Sequence, residues 1–596
     1  VKMKARTLQE DHEEFIRAIK EFAVPSAPAK SHAPRKEADS QVILQELRRL
    51  RLQQLLAVLH VTWVVFRPIV LLGVLGFLLC SSWSLASIAA LAAKVSLLGL
   101  LVAEGRRMLQ DPVYHRSLLG DDGSFPEISF NTCGVFGKRM KSIMDLCSFE
   151  HFRYSPTFWL LNGDMHTMLP VLVRPMKSPT SDFLRVRLKL SEDSDQPLDI
   201  AIPSKAAAST VKSSKLLLLI LAGVGGDSRQ AYISDLCKRA AEEGHLCAVI
   251  VSKGFLSDEV DSVKRIFSPC DFDSLEKTVN ITCKSAQSAS LKVMSVGFSM
   301  GAIMWLTYHG KKKSPENMIG CISVGSAMKM DFSMVGRYPR IIQPALVTEL
   351  VSDIMAKYGH EILRLVGQDG VKKFCRSRTF ADLHKNLLSK IGKSDEQNLW
   401  FWMEKQEPHR WRNKISIPTL IFNAKDDPMH VMEQCGFEKE TPSNPNVAYF
   451  LTQAGGHIGW CEGMSLRSTN YMVSVILRYA RACKCEHDRR EGLLSSWEDA
   501  VCCLHKELED RRMQRLLQDR FWYSIFMAGS LFVLSITTFL HLSTFKTLGP
   551  PTLVKNALMV GFACLFAEVC YTLFASTSFL GHFSTYSRKV ANDDET

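Results

Sequence analysis

Leu291-Lys-Val-Met-Ser-Val-Gly297-Phe-Ser299-Met-Gly301-Ala302 carries an apolar run into a Gly-x-Ser-x-Gly pentapeptide, and a helix-compatible segment, Ala302 to His309, follows it. Strand, sharp turn, helix is the context in which a serine is lifted out of a sheet as a nucleophile. Gly297 and Gly301 suit that context, because backbone and helix pass close to a serine held in a strained turn. The pentapeptide alone is common, so its reading depends on partners elsewhere in the chain.

The flanking sequence alternates. Lys215 to Leu221 is a continuous apolar run, as a strand buried on both faces should be, and Ala222-Gly223-Val224-Gly225-Gly226-Asp227-Ser228 follows. Gln230 to Glu243 reads as a helix with Gly244 as its C-cap, Cys247 to Ser252 as a strand and Asp271 to Ala286 as a helix. Met318 to Val324 closes the series, and Ile415 to Asn423 and Val447 to Thr452 resume it. Leu184 to Leu190 and Leu198 to Ile202 are earlier strands, and Ser465 to Ala482 reads as the last helix. The fold class is α/β, a mostly parallel sheet with helices on both faces. Residues 328–411, rich in helix formers and aromatics, read as a helical cap inserted between strands.

A serine hydroxyl needs an adjacent base at neutral pH, and in this strand order an acid and then a histidine should follow in loops after late strands. Ala424-Lys-Asp426-Asp427-Pro428 leaves one such strand, and Gln453-Ala-Gly455-Gly456-His457-Ile-Gly459 leaves the next. The assignment is Ser299 as nucleophile, His457 as general base and then acid, and Asp427 as the group orienting the imidazole. Asp426 is the alternative acid, and the preference for Asp427 comes only from the resemblance described below, in which an Asp-Pro pair ends this loop. Backbone N–H groups of Met300 and Val224 are the candidate oxyanion donors. The glycine loop lacks a Lys-Ser/Thr ending and the full dinucleotide-binding spacing, which argues against a phosphate cradle. Cys483, Cys485, His487, Cys502 and Cys503 match no standard zinc spacing, so neither metal nor cofactor is expected.

Composition adds a setting. The 596 residues exceed one ordinary domain, and a hydrophobic content of 46% points to membrane segments. The net charge of +12 forms no long basic block and fits juxtamembrane Lys and Arg clusters better than a nucleic-acid face, and the 17 cysteines lack a repeated spacing and read as reduced thiols. Residues 1–50 read as a polar, flexible tail broken by Pro25, Pro28 and Pro34, without the apolar core of a signal peptide. Residues 51–107 contain an apolar tract, Leu55 to Ala103, about twice the roughly 20 residues of one crossing, either a hairpin turning at Cys80 to Ser84 or a single anchor. Residues 108–150 read as a connector, 151–484 as the catalytic domain and 485–520 as a charged helical linker. Residues 521–583 read as a second hairpin split at Lys546 to Pro551, and 584–596 as a tail. Basic residues flank both apolar regions, at Arg48 to Arg51, Arg511 to Arg520 and Arg588-Lys589. Two crossings at each end keep them all on the cytosolic side, with the endoplasmic reticulum as a candidate membrane.

One segment has no explanation in periodicity: Tyr154-Ser-Pro156-Thr-Phe-Trp159-Leu-Leu-Asn162-Gly163-Asp164-Met-His166-Thr167. It is similar to Pro-x-x-Trp-x-x-Asn-Gly-His-x-Gln-Thr of a membrane-associated α/β-hydrolase branch. That branch comprises α/β-hydrolase domain-containing proteins one to three, YheT-type esterases and yeast medium-chain acyl ethyl ester synthases. The glycine loop with Tyr232-Ile233, the serine pentapeptide, Asp426-Asp427-Pro428 and Gly455-Gly456-His457-Ile-Gly459 resemble it too, so the similarity runs from about Tyr154 to Ala482. The chain departs from it at Ala222, where the branch has His, at Asp164 and His166, and around Ser252-Lys253-Gly254. The resemblance implies an α/β-hydrolase fold with a membrane anchor, and a serine hydrolase acting on carboxylic esters of lipids such as acylglycerols or phospholipids. Interception of the acyl-enzyme by an alcohol would make it an acyltransferase. A membrane scaffold or receptor without turnover is the reading from a different class, motivated by the departures at Ala222 and Ser252.

Overall fold

In the computed structural model the strands are β1 (Glu127–Phe130), β2 (Phe183–Lys189), β3 (Asp195–Ala201), β4 (Leu216–Leu221), β5 (Leu246–Ile250), β6 (Lys292–Phe298), β7 (Met318–Val324), β8 (Thr419–Ala424) and β9 (Val447–Thr452). The structure describes residues 8–24, 41–54, 56 and, with interruptions, 125–492. The apolar tracts at 55–103, Leu56 apart, and 521–583 and most of the linker 485–520 lie outside the described residues. Among the described residues no helix is long and apolar enough to cross a membrane.

The strands form one sheet in the order β1-β9-β8-β7-β6-β4-β5-β3-β2. The six from β9 to β5 run parallel, while β1, β3 and β2 pair antiparallel at the two edges. β4 shows why the central strands read as unbroken apolar runs. Leu217, Leu219 and Leu221 enter one core, and Leu216, Leu218 and Ile220 enter the other, all essentially inaccessible to water. Each such side chain contributes about 1.5–3 kcal/mol of burial. The first core is filled by Phe272–Ser288, Met300–Lys311 and the cap; the second by Ala231–Glu242, Gly134–Cys147 and Asn470–Arg490.

After β5 the chain crosses over β4 to place β6 on its other side. The loops leaving β4 and β6 therefore part at their carboxyl ends, which is where open α/β sheets form binding crevices. Between β7 and β8 the cap supplies the helix Gln343–Cys375, interrupted at Gly367 (φ 69°), and the helix Phe380–Asn386.

Three expected boundaries are corrected. Residues 1–50 contain a docked helix, Leu8–Lys20, with Phe15 and Ile19 fully buried, and the helical stretch 41–54 buries Ile43 and Leu50 in the same core. Ala23 bridges to Leu188, so this segment also covers the β2 edge. The expected connector 108–150 holds β1 and the helix Gly134–Cys147, whose Met140, Ile143, Met144 and Cys147 recur at helical spacing and are buried. The last helix continues past Ala482 to Arg490, because Cys483, Cys485 and Glu486 remain buried against the second core.

Candidate active site

Ser299 sits between β6 and Met300–Lys311 with φ 53° and ψ −118°, a conformation that L-residues avoid unless their surroundings enforce it. The flanking glycines make room for it. A Cβ at Gly297 would lie 2.5 Å from Ala302 Cα, and one at Gly301 would lie 2.4 Å from the Ala222 carbonyl oxygen. The turn is also tied down by Ser299 N–H donating to the Val324 carbonyl (2.9 Å) and by Trp305 Nε1–H donating to the Val296 carbonyl (3.2 Å).

The loops after β8 and β9 bring the two expected partners to this serine. His457 Nε2 is 2.9 Å from Ser299 Oγ, and His457 Nδ1 is 2.8 Å from Asp427 Oδ2. Gly325, at φ 59°, leaves room for the imidazole, since a Cβ there would be 3.4 Å from its Cε1 and Nδ1. Asp427 Oδ1 accepts from the N–H groups of Met429 (2.7 Å) and His430 (3.0 Å). Burial opposes its charge, but His457 alongside and these donors hold its carboxyl below the usual range. Asp426 has a different task. Its Oδ1 accepts from Gly456 N–H (2.8 Å), and burial pushes its carboxyl up to about 7.

The glycine loop after β4 lies over the nucleophile, where a Cβ at Gly223 would be 3.6 Å from Ser299 Cβ. Met300 opens its helix, so its N–H has no carbonyl one turn back, and Val224 lies in the loop itself. Ala222, in place of the branch's histidine, leaves the loop held by other groups. Gly223 N–H donates to Tyr232 Oη (3.3 Å), Gly226 N–H to the Gly223 carbonyl (3.0 Å), and Ser228 Oγ–H to Asp199 Oδ2 (2.5 Å). Arg185 makes a two-pronged pair with Asp199 at 2.6 and 2.7 Å. Beyond Gly225, Leu350 of the cap and Phe255 form an apolar wall, 3.0 and 3.6 Å from where a Cβ at that glycine would sit.

Asp427, His430 and His457 are the described residues close enough to share a metal ion. Both His457 nitrogens already face Asp427 and Ser299, and His430 Nδ1 faces the Gly325 carbonyl at 3.0 Å, so a proton relay accounts for the cluster. Cys483 and Cys485 are buried in the last helix, and Cys502 and Cys503 lie outside the described residues. Sequence reasoning passed over Tyr232, Gly325, His430 and Thr167. Of these only Tyr232 and Thr167 stood inside a motif, and neither had a stated role.

A strained serine at a topological switch point, relayed through histidine to aspartate, is the arrangement that an α/β-hydrolase fold presents. The similarity to the α/β-hydrolase domain-containing branch holds in the sequence comparisons. Human phospholipase ABHD3 is 24% identical over 343 residues, 57% of this chain and 81% of that protein. Zebrafish monoacylglycerol lipase ABHD2 is 24% identical over 347 residues, 55% and 79% respectively. Among solved structures, the Pyrococcus furiosus esterase Pf2001 overlaps 52% of this chain and 96% of its own, at 13% identity and a TM-score of 0.30. No family model matches the chain.

Proposed function

We propose that the chain hydrolyses carboxylic esters of lipids, with Ser299 as nucleophile, His457 as base and Asp427 as the orienting acid. The observation that carries this reading is the unbroken hydrogen-bond path from Ser299 Oγ through His457 to Asp427. The serine hydroxyl donates to Nε2, so its proton passes to the imidazole as Oγ bonds to the ester carbonyl carbon. Asp427, bonded to Nδ1–H, fixes the tautomer and stabilises the imidazolium. The developing oxyanion lies between the N–H groups of Met300 and Val224. Collapse expels the alcohol, which takes the proton from Nε2, and leaves acyl-Ser299. Water, deprotonated by His457, then releases the fatty acid.

A lipid substrate is supported by the relatives' names and by the apolar wall of Leu350 and Phe255 beside the glycine loop. The same reading places the domain at a membrane, on the cytosolic side, anchored by tracts within 51–107 and 521–583. Their length and apolar composition support it. The test is covalent labelling of the full chain by a fluorophosphonate, with fatty-acid release from a monoacylglycerol and a phospholipid measured in wild type and Ser299→Ala.

A further inference from the structure

The loop carrying His457 is under backbone strain. Gly455, Gly456, Ile458 and Trp460 all have positive φ (144°, 59°, 61° and 33°), and two of these are bulky residues. A loop in this state keeps its shape only if neighbours hold it. Two consecutive N–H groups are held. Gly456 N–H donates to Asp426 Oδ1 (2.8 Å), and His457 N–H donates to Thr167 Oγ1 (2.8 Å). The Thr167 hydroxyl in turn donates to the Gly163 carbonyl (2.6 Å), which fixes its lone pair towards His457.

Contact is equally tight between the glycines. A Cβ at Gly456 would lie 2.4 Å from the Gly163 carbonyl oxygen, one at Gly459 would lie 2.2 Å from that of His166, and one at Gly163 would lie 1.7 Å from that of Asp426. The start of the helix Gly163–Val173 is thus wedged against both the acid loop and the base loop. We propose that Thr167 and Asp426 are positioning residues that clamp the backbone of His457, and that Gly163 to Thr167 exists in this chain to build that clamp. The proposal rests on the Ser299 reading and adds to it a reason for the acid that does not touch the imidazole.

The valine isostere of Thr167 removes the hydroxyl and leaves a buried N–H unpaired, so the strained loop relaxes and the 2.9 Å approach of Nε2 to Ser299 Oγ is lost. Thr167 and Asp426 bond backbone N–H groups and stand outside the glycine loop and the Leu350–Phe255 wall, so kcat should move and KM should not. The test uses the full chain in detergent micelles, 4-nitrophenyl butyrate as substrate, and fluorophosphonate titration to count competent sites. Thr167→Val should lower kcat at least about tenfold with KM within about twofold, and Thr167→Ser should bring kcat back to within about threefold. Asp426→Ala, which removes the acceptor of Gly456 N–H, should lower kcat similarly and serves if the valine variant does not fold. Unchanged kcat in either folded variant, with turnover still dependent on Ser299, overturns the clamp and leaves the hydrolase reading intact. Failure of both variants to fold also overturns it, since a local clamp leaves both cores untouched. Wild-type turnover no higher than that of Ser299→Ala removes the hydrolase reading and the clamp with it.

Discussion

Adjacent aspartates are separated here by the atoms they reach. Asp427 bonds the imidazole, whereas Asp426 bonds a backbone N–H of the loop that carries it. Asp427→Asn should therefore cost kcat/KM about 10³-fold or more by presenting an amide N–H to Nδ1 and favouring the wrong tautomer. Asp426→Asn keeps an oxygen for Gly456 and should cost less than about tenfold. Steady-state kinetics of the two variants checks this, and equal losses would contradict the division of labour. From sequence, the choice between them rested on Asp427-Pro428 alone. Thr167 was illegible for a related reason, because its hydrogen bond spans 290 positions and leaves no local pattern.

The elbow element, β6 with Met300–Lys311, was the most legible part of the chain. Its apolar run, glycine spacing and helix all follow from local sterics and burial. One of its residues has a stability signature. His309 lies between Ser295 Oγ (2.9 Å) and Ser314 Oγ (2.8 Å), stacked on Trp305, and burial pushes it down to about 3. Its folded value lies below the unfolded 6.5, so the stability it contributes is present above pH 6.5 and is lost as pH falls towards 3. The loss is about 1.4 kcal/mol per pH unit in that window. His166, at about 3, and His430, at about 4, act in the same direction. Urea midpoints between pH 7 and 4.5 should fall in the wild type and fall less steeply in His309→Gln. Identical slopes would contradict the buried neutral state. Other elements were hidden: β1 has four residues and is a strand only because β9 pairs with it, and the helix Leu8–Lys20 buries Phe15 and Ile19 within an otherwise polar stretch.

For the whole molecule, the alternation of strands and helices and the parallel core of the sheet were readable, because central parallel strands must be apolar on both faces; the order of the strands was not. Nor was the domain's extent. It takes in the helix Leu8–Lys20 and the helical stretch 41–54, so the first apolar region follows a packed element, and it runs on to Arg490. The proposed crossings at both ends would hold this domain to one side of a bilayer. An epitope inserted after Ser495 should be digested by protease added to sealed microsomes, and protection of the epitope would contradict the cytosolic placement.

The central claim is that Ser299 is a working nucleophile for lipid esters. Full-length wild type and Ser299→Ala, in membranes, are to be treated with a fluorophosphonate and assayed for fatty-acid release from monoacylglycerol and phospholipid vesicles. Labelling and release that both disappear in Ser299→Ala are the predicted result. Wild-type protein that neither labels nor releases fatty acid above the variant would contradict the account.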